Sequence, residues 1–169
     1  MGLGPGTVKL YLECWQRGLF REVQSVAELG SQELMLTPAT FEALIQASGI
    51  PGYRPEDFPH LANWPGHPRC SAQPFYALLG VTRYTCVDLN GEHGAIPLDL
   101  NRPLEDRSLY GRYDLVTDHG CAEHSFKKVH AVFESLVEGL AVDLKRGFFE
   151  DLVILPVGVL AAVLDAKAR

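Results

Sequence analysis

The chain has 169 residues, 47 % of them hydrophobic and 21 % charged, which is ample for one well-buried core in a single domain spanning 1–169. Its net charge of −6 excludes a general nucleic-acid-binding or anionic-membrane-binding surface, because both need clustered Lys and Arg. Cys14, Cys70, Cys86 and Cys121 stand far apart with no C-x-x-C pair, and the N-terminus lacks the apolar core of a signal peptide, so a reduced, cytoplasmic setting is expected.

Residues 7–17 place Val8, Leu10, Leu12 and Trp15 at helical spacing, with Gly18 just past the end, and predict an N-terminal helix. Residues 25–30 read as a short strand stopped by Gly30, and 31–34 as the turn that follows. Thr37 suits an N-cap and Pro38 the first helical position, so 37–48, with Phe41, Leu44 and Ile45 on one face, predicts a helix. The stretch 49–71 carries Pro51, Pro55, Pro59, Pro65 and Pro68 with Gly52 and Gly66. That content excludes a long regular element and predicts a surface insertion that flanks or covers a site as a lid.

A helix through Phe75, Leu78 and Leu79 ends at Gly80, and 83–88 is a strand that ends on Asp88. A third short strand is expected at 95–98, just before Asp99, and a fourth at 113–118, ending on Asp118. Ser125 caps a long amphipathic helix, 125–142, with Phe126, Val129, Val132, Phe133 and Leu136 on its apolar side. A fifth strand is expected at 152–155 and an apolar tail at 157–164. The whole apolar stretch 152–164 is broken by Pro156 and Gly158 and falls short of the roughly 20 residues of a membrane span, so it reads as buried core.

Alternating strands and helices imply an α/β fold whose parallel strands are joined by right-handed crossovers, and such sheets bind ligands beyond the carboxyl ends of their strands. That rule selects the loops beginning at Gly30, Asp88, Asp99 and Asp118. In Glu28-Leu29-Gly30 the glycine lets the backbone turn tightly and approach a ligand. In Asp88-Leu89-Asn90 the acid stands where doubly wound folds place an acceptor for ribose hydroxyls. In Asp99-Leu100-Asn101-Arg102-Pro103 the aspartate suits an adenine amino group and Leu100 the ring face. Strand closure by Gly30 and turn formation by Asp88, Asp99 and Asn101 are the structural alternatives.

The most informative segment is 113–124, Tyr-Asp-Leu-Val-Thr-Asp-His-Gly-Cys-Ala-Glu-His. Asp114, Leu115, Val116, Asp118, Gly120, Glu123, His124 and Phe126 match a run that resembles the fourth-strand motif of class I S-adenosylmethionine-dependent methyltransferases, in particular an uncharacterised subgroup. The first loop, the helix before the second strand, the 99–104 segment and the insertion at about 49–71 agree, so the resemblance covers about residues 18–140. It implies a Rossmann-like three-layer α/β/α sandwich with a mainly parallel sheet, and S-adenosylmethionine as cofactor. By position, Glu28, Gly30, Ser31 and Gln32 line the methionine side, Asp88 and Leu89 the ribose, Asp99 and Leu100 the adenine, and Asp118, His119 and Gly120 the front of the pocket. Glu123 and His124 fall where such enzymes place groups that position or deprotonate the methyl acceptor, a small molecule or another partner that the resemblance does not identify.

Gln32 and Leu34 stand where the glycine-rich pattern has its second and third glycines, and no glycine turn and strand like those of the family follow Val137. These departures keep open a second expectation, a non-catalytic methyltransferase-like binding or scaffold domain. His119, Cys121, His124 and His130 cluster in sequence, but their spacing fits no tight ligand knuckle, so no metal is expected. A Cys121 nucleophile with His124 as base lacks an oxyanion-hole signature and ranks below both readings.

Overall fold

The computed structural model describes residues 2–102, 104–120 and 152–154. The chain begins with a strand that hydropathy periodicity does not reveal. β1 (Gly2–Leu3) pairs in parallel with β3 (Glu33–Leu34), so the stretch expected to be a pure turn after Gly30 contributes a strand to a small two-stranded sheet. Two-residue strands are too short to show alternation. Contact decides here: a Cβ at Gly2 would run into the Glu33 carbonyl.

α1 (Pro5–Gln16) begins two residues earlier than expected, because Pro5 occupies the first turn, where a missing N–H costs nothing. It buries Val8, Tyr11 and Leu12, and Gly18 turns away from it with φ 77°. α2 (Pro38–Ser48) follows its sequence signals: Thr37 Oγ1 accepts from the Thr40 amide at 3.2 Å, and Gly49 closes the helix at φ 67°. Phe41 and Ile45 form its buried face.

The insertion 49–71 carries two single helical turns, Pro55–Asp57 and Leu61–Asn63, and no long element. It is anchored through the core, since Phe58, Leu61 and Cys70 are buried and the Phe58 ring lies 4.9 Å from that of Phe41. α3 (Gln73–Leu78) then leads to β4.

The main sheet has the order β4-β2-β5-β6, with β2 (Ser25–Leu29), β4 (Arg83–Val87), β5 (Leu115–Asp118) and β6 (Leu152–Ile154). β2 runs parallel to both neighbours, with Leu29 opposite Val87 on one side and Asp118 on the other. β6 is antiparallel to β5. The strand expected at 95–98 is reduced to one parallel bridge, Val87 to Ile96, with the Ile96 and Leu98 amides donating to Cys86 and Asp88 carbonyls at 2.9 and 3.3 Å. Pro97 lies between those donors, a position tolerated only on an edge strand.

Alternation along β2 separates two packed faces. Val26 belongs with Leu115 to a large cluster that takes in Val8, Tyr11, Phe41, Phe75 and Tyr76, so α1, α2 and α3 all cover one face. Ala27, Leu29, Val87 and Val116 pack on the other face against Leu100, Leu104, Leu109 and Tyr113. That second layer is irregular chain with one helical turn at Arg107–Leu109. The described residues thus form a mixed α/β fold with parallel strands in two small sheets and helices on one face of the larger. The helix expected at 125–142 and the tail at 157–164 lie outside the described residues. Among the described residues no helix is long and apolar enough to cross a membrane.

Candidate functional site

Parallel pairing of β4, β2 and β5 puts their carboxyl ends, and the loops that start at Gly30, Asp88 and Asp118, side by side on one edge. The loops are joined to one another. Gly30, at φ 85°, donates its N–H to the Val87 carbonyl at 2.8 Å. The Ser31 amide donates to Asp88 Oδ2 at 2.8 Å, and the Ser31 hydroxyl donates to Asn90 Oδ1 at 2.8 Å or the Glu92 carbonyl at 3.0 Å. Asp88 is half-buried, its Oδ1 receives a long 3.4 Å contact from the Asn90 amide, and Leu89 is 69 % exposed beside it.

Glu28 sits differently from its expected place on the methionine side. On β2 it alternates toward the helices, is fully buried, and accepts hydroxyl hydrogens from Tyr76 at 3.0 Å, Thr117 at 3.4 Å and Tyr84. Burial pushes its carboxyl up to about 7, against the opposing influence of the charge on His119 and of the three hydroxyl donors. The tyrosines respond in the same sense: burial and the Glu28 charge raise both Tyr76 and Tyr84.

His119 and Asp118 are buried at the end of β5, and His119 Nε2 shares a 2.9 Å hydrogen bond with the Tyr11 hydroxyl on α1. Gly120 follows at φ 86°. Gln32 is 1 % exposed; its Nε2 donates to the Leu29 carbonyl at 2.8 Å, while its Oε1 has no hydrogen-bond partner among the described residues. Asp99 Oδ1 accepts from the Asn101 amide at 2.9 Å, the turn-forming role weighed as its alternative, and Leu100 is buried in the core of the second face. Glu123, His124 and Cys121 lie outside the described residues.

Two groups of residues escaped the sequence reading. Tyr76, Tyr84 and Thr117 surround Glu28, and the available signal was register: once β4 and β5 flank β2, Cys86 and Thr117 fall opposite Glu28 on the same face. The second group joins three segments, since Glu33 Oε2 accepts from Arg69 at 2.9 Å and Glu33 Oε1 lies 3.4 Å from His93 Nε2. No local pattern marks that contact, which forms between residues 36 and 60 positions apart.

Against a ligand the size of S-adenosylmethionine these residues divide. Asp88, with one oxygen weakly engaged, fits a ribose hydroxyl, and Gln32 Oε1 is a buried acceptor in the first loop with no hydrogen-bond partner among the described residues. Glu28, enclosed by its own donors, does not fit the methionine end. Comparisons with models of known protein families, with curated proteins and with solved structures find no match for the chain.

Proposed function

We propose that the chain is an S-adenosylmethionine-dependent methyltransferase domain of Rossmann-like fold, acting on an acceptor that its sequence leaves open. The observation that carries the reading is the convergence of the Gly30, Asp88 and Asp118 loops on one edge of three adjacent parallel strands. Ligands of doubly wound sheets bind at such edges. In this reading Asp88 accepts from the ribose, Gly30 and Ser31 bring backbone close to the ligand, Asp99 faces the adenine side, and Gln32 rather than Glu28 offers an acceptor on the methionine side. The cofactor, when bound, supplies an electrophilic methyl group; the chain binds it and aligns the acceptor. Glu123 and His124 remain the residues proposed for the acceptor side.

A second reading, a non-catalytic domain of the same ancestry, draws support from one feature. Glu28 and the Ser31 amide and hydroxyl are already satisfied by protein partners. Calorimetric titration with S-adenosylhomocysteine separates the two. The methyltransferase reading expects binding, and expects Asp88→Ala to weaken it by about 1.5–3 kcal/mol, the range for a hydrogen bond to a charged group. No heat at millimolar ligand favours the scaffold. Equal binding by the Asp88 variant refutes the ribose assignment.

A further inference from the structure

In the turn that follows β4, Gly91, His93 and Gly94 have φ of 65°, 54° and 75°, so three residues of four occupy the left-handed region. Glycine enters that region freely, whereas the Cβ of His93 crowds the backbone, a strain that persists only where neighbouring contacts hold it. Burial does not supply those contacts, since Asn90, Gly91, Glu92 and Gly94 are exposed and Leu89 is 69 % exposed. Polar ties to the first loop hold the turn instead. The Ser31 hydroxyl lies 2.8 Å from Asn90 Oδ1 and 3.0 Å from the Glu92 carbonyl, and His93 Nε2 lies 3.4 Å from Glu33 Oε1. Backbone bonds fix both flanks: the Asp88 amide donates to the Ile96 carbonyl at 3.1 Å, the Ile96 amide donates to the Cys86 carbonyl at 2.9 Å, and Ala95 is buried. The turn also keeps its own shape, with the Glu92 amide donating to Asn90 Oδ1 and the Ala95 amide to the Glu92 carbonyl, both at 2.9 Å. Exposed ties of this kind each contribute little, the same order as the strain of one left-handed histidine, so closed and open turns are nearly balanced.

We propose that residues 89–94 form a latch that closes on the first loop through Ser31 and Glu33 and swings open between Asp88 and Ala95 while β2 and β4 stay paired. Gly91 and Gly94 take up the backbone rotation. Opening releases the Ser31 hydroxyl and withdraws the Asn90 amide from Asp88 Oδ1, both at the carboxyl edge of the sheet. It relaxes His93 at the same time, so the strain of the closed turn favours release. The latch stands on these contacts alone; only the identity of what then binds at the edge rests on the methyltransferase reading.

Native-state proteolysis tests the latch on the full chain with no ligand present, so its failure is separate from any failure of the cofactor reading. A glutamyl endopeptidase cuts after Glu92 once the turn opens, and after Glu28, buried in β2, only when the sheet comes apart. Fragments are resolved by mass, and each rate is divided by that of a synthetic peptide of the same sequence. Cleavage after Glu92 is expected to be about tenfold or more faster than after Glu28 in the unmodified chain. Ser31→Ala and His93→Ala each remove one tie and leave Arg69 its partner, so each should speed cleavage after Glu92 about fivefold to tenfold with cleavage after Glu28 unchanged. His93→Gly loses the same tie but carries no strain, and should be cut there several-fold more slowly than His93→Ala. Equal rates after Glu92 and Glu28, failure of either alanine variant to speed cleavage after Glu92, acceleration of both sites together, or His93→Gly opening as fast as His93→Ala would each overturn the proposal.

Discussion

A carboxyl group enclosed as fully as Glu28 ties folding to pH. Its folded value, about 7, is raised above the ordinary 4.5, so the folded chain holds a proton that the unfolded chain releases in between. The contribution is therefore fully present below about pH 4.5 and is lost as pH rises through about 7; the shift corresponds to roughly 3 kcal/mol. Glu28→Gln should thus be more stable than the unmodified chain at pH 8, and the advantage should shrink toward pH 5. Urea unfolding of both at the two pH values checks it, and an advantage independent of pH would contradict the assignment. Asp114 illustrates the opposite use of an acid. It lies in the segment that resembles a methyltransferase motif, yet its Oδ2 accepts from the Gln24 and Ser25 amides at 3.0 and 2.8 Å and from the Ser25 hydroxyl at 2.7 Å, fastening the start of β5 to the start of β2. Asp114→Ala leaves those donors without their acceptor. A loss of stability on the order of 2–4 kcal/mol is expected in urea unfolding, with ligand affinity at the far edge unchanged.

Among the elements, the helices carry their own punctuation, and that is why they were legible. Thr37, Pro38 and Gly49 bracket α2 by local chemistry alone, and the structure places its ends where those residues stand. β1 and β3 had no such signal, because they exist only through pairing with each other. The insertion 49–71 was readable as irregular from its prolines, but its anchorage was not. Arg69 lies 5.0 Å from the Trp64 ring centre, donates to the Pro65 and Gly66 carbonyls, and pairs with Glu33. One side chain thus gathers the end of the insertion and docks it beside the first loop. Arg69→Ala should release that end while leaving Phe58 seated on Phe41. Hydrogen exchange should accelerate about tenfold or more at Leu34 and Ala72, whose amides bond to Cys70 and Gln32 carbonyls, equivalent to about 1.4 kcal/mol of local opening. Unchanged exchange at both amides would show that the docking rests on the buried residues alone.

For the whole molecule, acid-ended strands separated by helices implied parallel strands with a shared edge, and β4-β2-β5 has that arrangement. Which residues at the edge face outward was not legible, because it depends on strand alternation and on partners brought in from afar. Glu28 turns inward to Tyr76 and Tyr84, Leu100 turns into the second core, and Asp88 reaches across to Ser31. The central claim is that this edge holds an adenosyl ligand despite those internal contacts. Amide chemical-shift mapping of the full chain with S-adenosylhomocysteine tests it most directly. The account expects saturable perturbations at Gly30, Ser31, Asp88, Asn90 and Gly120, with the amides of Ser25 and Asp114 at the opposite ends of the strands unmoved. Perturbations absent at millimolar ligand, or gathered away from the carboxyl ends of β2, β4 and β5, would contradict it.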